Sequence, residues 1–481
     1  MASPPNIQPL NLEAAASLVQ NAGQIQVQLP SAGQHPPLAT AVSTPSPTAL
    51  SVTSPEGIDC YGNERQALTD QGKFFNNSLL SDVILVVGGN RYYAHKLILV
   101  RSSDVFERML SNQWKDSQEK ELELVEDSIC VSMFPRFLTF LYSCHIRLNM
   151  ESTLPVLVLA DKYNVKDLQE VCINFACSCI IPKLQLKDVF HVWFQYATKC
   201  YHQRLISSCV TALSEKMDDI IASVEWEREW GHLDKEQLIE FLKSSSLSIK
   251  DEFELWNATL KWLHSSQHPK RLSQCLKIVV EYIRFPMMTP EQLTEIESSE
   301  IVLKNKELFQ KHFMTAYKYH ALPLTQRSLV KEFHGPTFLL RNYTDLRWDK
   351  RFVVPMFSAI PRGAEVSFRF TTRSSTFPPQ TWEWELKVYP KGYSSTAEDF
   401  RCVIYSNLIL DQPRPVEYLL SVVSRSELIH TVSGKKNFSK TRYTADTEMD
   451  KKITVAELTE LNSPLLVDNT LVLQITLKPV E

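Results

Sequence analysis

Cys172, Cys177 and Cys179 stand close together in one apolar stretch, and three neighbouring thiols are the first residues of this chain with the types to hold a metal. A structural zinc site is tetrahedral and needs four ligands, commonly supplied as paired C-x-x-C or Cys/His sets. No paired C-x-x-C accompanies these three, and thiols at i, i+5 and i+7 of one predicted helix do not converge without a distant fourth ligand. They read as packing residues, as do Cys200 and Cys209, and no metal ligand set is assigned. Cys144-His145 places a thiol beside a base, but consecutive side chains at a helix end point apart and cannot hydrogen-bond as nucleophile and base. His95, with Asp82 upstream, reads as a satisfied structural histidine. No H-E-x-x-H, glycine-framed serine or G-x-x-x-x-G-K-[S/T] pattern occurs. The residues therefore predict no catalytic centre and no cofactor.

The stretch "VILVVGGNRYYAHK" (83–96) has an apolar run ending in glycines, the way a phosphate-cradling loop begins. Such a loop passes from a strand directly into a helix whose first amides face the anion. Here a second extended run, Tyr92 to His95, follows Gly88-Gly89-Asn90, so the pattern predicts a hairpin. "NRYYAHKLIL" is read as extended throughout. "RSSDVFERML" then predicts a helix capped by Ser103 or Asp104, "ELELVED" a strand edge, and three apolar-periodic stretches ending near Pro182 predict helices.

The chain has 481 residues, enough for about three domains at roughly 150 each. Its 51 Lys and Arg against 55 Asp and Glu leave a net charge of -4, with no basic face of the kind that neutralises phosphates, so nucleic acid is not an expected partner. No membrane span and no secretory signal are read: the first basic residue is Arg65, and no run has about 18 uncharged apolar residues. Cytosol or nucleus is the expected compartment, in keeping with cysteines set in apolar helical patterns. Residues 1–60, rich in Pro, Ser, Ala and Gln, predict a disordered tail. From 184 to 320 the apolar period is helical, with Phe190, Trp193, Phe194, Trp256 and Trp262 expected in the core. From 330 to 481 short alternating runs such as "TWEWELKVYP" and "NTLVLQITLK" predict an antiparallel β-sandwich.

"LSDVILVVGGNRYYAHKLILVRSSDVFERML" resembles the BTB/POZ family over residues 64–181. The helices of 184–320 resemble the BACK region that follows many BTB domains, and the C-terminal runs are similar to a TRAF-like (MATH-like) sandwich. The expected fold class is thus multidomain α+β: disordered tail, BTB/POZ α/β domain, all-α BACK domain, β-sandwich. The resemblance implies a homodimer formed through BTB and no chemistry. In several BTB classes it also implies a contact with cullin-3, centred on an apolar residue followed two positions later by Glu. Trp114-Lys115-Asp116 occupies that place, with Asp116 one methylene shorter than Glu. The sandwich is expected to take a protein substrate as an extended peptide along a late strand, with Lys435, Lys436, Phe438, Lys440 and Arg442 as candidate contacts for an acidic or phosphorylated segment. The rival reading of these lysines is protection of an exposed sheet edge. The implied function is a dimeric, non-enzymatic substrate adaptor of a cullin-3 ubiquitin ligase; an oligomeric scaffold without ligase association is the alternative.

Overall fold

The computed structural model describes residues 62–110, 120–222, 224–375, 380–394, 396, 399–406, 414–438, 453–460 and 463–480. The N-terminal tail, 1–60, lies outside the described residues. The chain divides into two compact units, Met1–Ala212 and Leu213–Glu481, so the division falls inside the stretch expected as one helical domain.

In the first unit, strand β1 (Val83–Val87) alternates buried and half-buried residues, and Val83, Leu85 and Val87 face the core. It pairs antiparallel with β2 (Asn90–Ala94) and parallel with β3 (Glu121–Leu124), giving a sheet of order β2-β1-β3. The expected hairpin is present, with Val87 opposite Asn90 and Gly88 and Gly89 at φ +54 and +81. Two positive φ values at a two-residue loop match the right-handed twist of the strands it joins. The expected extended run stops at His95, however, because Lys96–Ser102 is a helix. Its residues "KLILVRS" are apolar enough for either state, and packing against the helix Ser128–Ser143 decides. Ser103 is the cap of the helix Asp104–Leu110, its Oγ accepting from Phe106 N at 3.1 Å. Helices Ser128–Ser143, Thr153–Lys162 and Lys166–Phe175 bury Phe134, Phe137, Leu157 and Leu168 beneath the sheet.

Gly88 is needed twice over. A Cβ there would lie 2.5 Å from Val131 Cγ1, whereas at Gly89 nothing stands within 4 Å. Gly88→Ala is expected to destabilise by about 1–3 kcal/mol, and Gly89→Ala only by the left-handed backbone term of roughly 1–2 kcal/mol or less. Thermal melts of the two variants check the order.

The second unit begins with helices and continues without a break into a two-sheet sandwich. One sheet has the order β11-β10-β12-β6, from β11 (Leu428–Phe438), β10 (Arg414–Val423), β12 (Leu471–Pro479) and β6 (Asp349–Val354). The other is β7-β8-β9, from β7 (Val366–Arg373), β8 (Thr381–Tyr389) and β9 (Arg401–Ser406). All pairings in both sheets are antiparallel, as the alternating runs predict. Between the sheets Trp382 and Trp384 stack at 4.7 Å, and both are fully buried. Their indole N–H groups are satisfied across the sheet: Trp382 donates to Ser406 Oγ at 2.7 Å and Trp384 to Thr372 Oγ1 at 2.8 Å. The expected core aromatics Trp256 and Trp262 are likewise buried, as are Phe190, Trp193 and Phe194 of the first unit.

β10 and β12 are buried on both faces, since Leu419, Val423 and Val472 on the outer side are as hidden as Leu420 and Leu473 on the inner. What covers the outer side is the segment leaving the helices: the turn Leu324–Arg327 packs on β10 and β11, and Ser328 Oγ meets Ser433 Oγ at 2.9 Å. The run "TFLLRNY" is mostly a connector whose only strand is Asn342–Tyr343 (β5), paired parallel with Ser248–Ile249 (β4) of the helical region. Among the described residues no helix is long and apolar enough to cross a membrane.

Candidate functional site

Trp114, Lys115 and Asp116 fall in 111–119 and lie outside the described residues. The elements that flank them are well anchored. Phe106, in the preceding helix, is fully buried and stacks on Tyr163 at 4.6 Å and 9°. On the following side Tyr163 donates to Glu126, which also pairs with Lys162 at 2.9 Å. Burial, with Glu126 beside it, holds the Tyr163 phenol well above its ordinary value, so it remains a hydrogen-bond donor. Val125 next to this anchor is 83% exposed.

His95 is a structural residue. Its Nε2 lies 2.8 Å from Leu79 O, so that nitrogen carries the proton, and Nδ1 accepts from Tyr142 Oη at 2.8 Å. Tyr142 Oη in turn accepts from His95 N at 3.0 Å, and Asp82 Oδ1 accepts from Lys96 N at 2.7 Å. Around this knot four apolar side chains face water: Leu79 and Leu97, Leu80 with φ +61, and Tyr93. Leu80 and Leu97 are each 78% exposed, so no described residue of their own unit covers them.

At the sandwich, Lys435, Lys436 and Phe438 lie on β11, the outermost strand of its sheet. Lys435 is exposed and sits directly opposite Glu417 of β10, so part of its charge is answered across the strands. Phe438 does not face outward: it is 4% exposed and meets Trp384 edge-on at 4.9 Å, an anchor for the strand end and not a contact open to a peptide. The resemblance that made it a candidate contact fixed its place on a late strand and not the face it presents. Lys440 and Arg442 lie outside the described residues. A bulge at His430, φ +46, shifts the β10–β11 register, and Gly434 passes beneath the Tyr418 ring where a Cβ would stand 2.5 Å from its hydroxyl oxygen.

The polar cluster that sequence reading missed joins the helices to the sandwich. Glu252, first residue of the helix Glu252–Leu263, is fully buried, and its Oε2 accepts from Arg341 Nε at 2.9 Å and Tyr343 Oη at 2.6 Å. Its Oε1 accepts from Arg341 Nη2 at 3.2 Å and from Arg284 N at 2.9 Å. Arg341 donates further to Ser244 O and Tyr282 O, at 2.7 and 3.1 Å. Burial works against the Glu252 carboxylate, but the Arg341 charge and hydrogen bonds overcome it and hold the carboxyl below its ordinary value. Burial, then the like charge of Arg341, brings Arg284 down to about 9. The one signal in the sequence was a lone arginine inside the apolar run "FLLRNY".

A mixed three-stranded sheet backed by helices, a helical array and an antiparallel sandwich are the architecture of a BTB/POZ–BACK protein with a C-terminal TRAF-like domain, and the domain matches agree. The chain matches the BTB/POZ domain over 72–180, the "BTB And C-terminal Kelch" (BACK) domain over 189–298 and the BTBD17 TRAF domain over 338–398. It is similar to BTB/POZ domain-containing protein 17 of Xenopus laevis, 25% identical over 418 residues that cover 81% of this chain and 83% of that one. The human protein of the same name is 27% identical over 268 residues, 55% of this chain and 52% of its own. Human Kelch-like protein 2 is 24% identical over 56% of this chain and 43% of its own.

Proposed function

We propose that the protein is a non-enzymatic, dimeric adaptor that holds cullin-3 through its BTB domain and a protein substrate through the sandwich, serving a ubiquitin ligase. The observation that carries the self-association is the exposed group Leu79, Leu80, Tyr93 and Leu97, apolar side chains on the BTB domain that no described residue of their own unit covers. BTB domains resemble one another in dimerising, and a second copy is the occupant this reading assigns. The anchored frame around 111–119 supports the cullin contact, because an interface hot spot needs a fixed base.

Binding of full-length protein to the purified cullin-3 N-terminal domain tests the reading. Micromolar or tighter binding is expected, and Trp114→Ala is expected to weaken it by about 2 kcal/mol or more, roughly 30-fold. No binding at high micromolar concentration rejects the ligase role and leaves the oligomeric scaffold, which the shorter Asp116 favours.

A further inference from the structure

A second cluster, which none of the surfaces above uses, lies in the first unit and brings Asp161 of the BTB match together with Cys200 and His202 of the BACK match. Residues 186–200 wind continuously into the helix Gln195–Cys200, whose end is closed by His202 N donating to Ala197 O at 3.0 Å. Tyr201 at the closure has φ +59 with a side chain left in solvent, a left-handed conformation that a non-glycine residue adopts at a cost of about 1–2 kcal/mol. The turn brings Cys200 and His202 to the same side. Both meet Asp161, on the last turn of the helix Thr153–Lys162. His202 Nε2 donates to Asp161 Oδ2 at 2.7 Å, and Tyr196 donates to the same oxygen. The thiol sulfur, the imidazole nitrogen and the carboxylate oxygen all lie within 4.8 Å of one another. The Asp161 and His202 side chains are shielded yet reachable, at 16% and 14% exposure.

We propose that Asp161, Cys200 and His202 form a binding site for a divalent transition metal of the zinc class, with a fourth position left to water. The donor set argues the class. Calcium and magnesium take oxygen ligands, whereas one thiolate, one imidazole and one carboxylate suit zinc. Ligand atoms around a tetrahedral zinc lie about 3.5 Å apart, from bonds of about 2.0–2.3 Å. The cluster reaches that spacing by small side-chain rotations, with the 2.7 Å hydrogen bond opening to make room. The protons balance. The cation displaces the Cys200 thiol proton to solvent, and the His202 proton moves from Nε2 to Nδ1, so that affinity rises with pH. Without a cation the cluster is held by the hydrogen bonds of His202 and Tyr196 to Asp161. With a cation, Thr153–Lys162 and the helix ending at Cys200 are stapled together.

The test uses full-length protein stripped with a chelator and titrated with Co²⁺ alone. The expected result is a thiolate-to-cobalt charge-transfer band with the visible bands of four-coordinate cobalt, saturating at one equivalent, bleached by Zn²⁺, and accompanied by a rise in melting temperature. Cys200→Ser is expected to lose the charge-transfer band, and His202→Gln, which keeps a donor towards Asp161, to lose the visible bands and the zinc-dependent rise. Cys179→Ser, outside the cluster, is expected to keep both. The proposal is overturned if wild-type protein gives no thiolate band, if the band survives in Cys200→Ser, or if Zn²⁺ raises the melting temperature equally in wild type and His202→Gln. Should Cys200→Ser lose its circular dichroism signature, the His202→Gln comparison decides alone.

Discussion

Glu252→Ala is expected to lower the stability of the second unit by about 3–5 kcal/mol, the cost of breaking a buried ion pair from one side. The substitution strands Arg341, which is 1% exposed, without the carboxylate it pairs with, and leaves the Arg284 backbone N–H and the Tyr343 hydroxyl without their acceptor. Thermal or urea unfolding followed by tryptophan fluorescence checks it, and the helical and sheet signals are expected to shift together because the cluster belongs to both. The same group sets an acid limit. Its folded-state value lies below the ordinary 4.5, so its stabilisation is present above about that pH and disappears as pH falls through the folded value. Glu252→Gln is expected to flatten that part of the stability profile. An unchanged slope below pH 4.5 would remove Glu252 from the account.

Trp384→Ala is expected to cost about 3–5 kcal/mol as a large buried aromatic truncated in a packed core. The ring lies between Trp382 at 4.7 Å and Phe438 at 4.9 Å, so its removal opens a cavity where the strand β11 is anchored. Trp384→Phe keeps much of the packing but leaves Thr372 Oγ1 without its donor, and about 1–3 kcal/mol is expected. Near-ultraviolet circular dichroism and melting of both variants check the order. If the alanine variant melts within a degree or two of wild type, the Trp pair is not the keystone of this core.

The architecture was legible where period and punctuation agree. The Gly88-Gly89 hairpin, the strand "TWEWELKVY" and the helix Glu252–Leu263 each carry a pattern one element long, which local chemistry is enough to set. Lys96–Ser102 was misjudged because "KLILVRS" satisfies both periods, and only its packing against Ser128–Ser143 selects the helix. Phe438 was placed by resemblance to a late strand of TRAF-like domains, and a resemblance in position does not say that the side chain turns inward onto Trp384. The covered outer side of β12 was not legible: "LQITLK" alternates as if one face met water, yet Gln474 on that face is buried because it accepts from Leu340 N and donates to Phe338 O, contacts made with a segment more than 130 residues away. The Asp161–Cys200–His202 cluster could not be found from spacing, since it depends on one left-handed residue and on a helix 35 positions away from Tyr196.

The outer side of β10 and β12 also has a practical consequence. The sandwich is not a detachable cassette: a fragment cut at residue 330 would lose the turn Leu324–Arg327 that packs on β10 and β11 and would unpair Arg341 from Glu252 in one stroke. Grafting the sandwich onto another scaffold therefore means carrying the chain from about Leu213 onward, helices included.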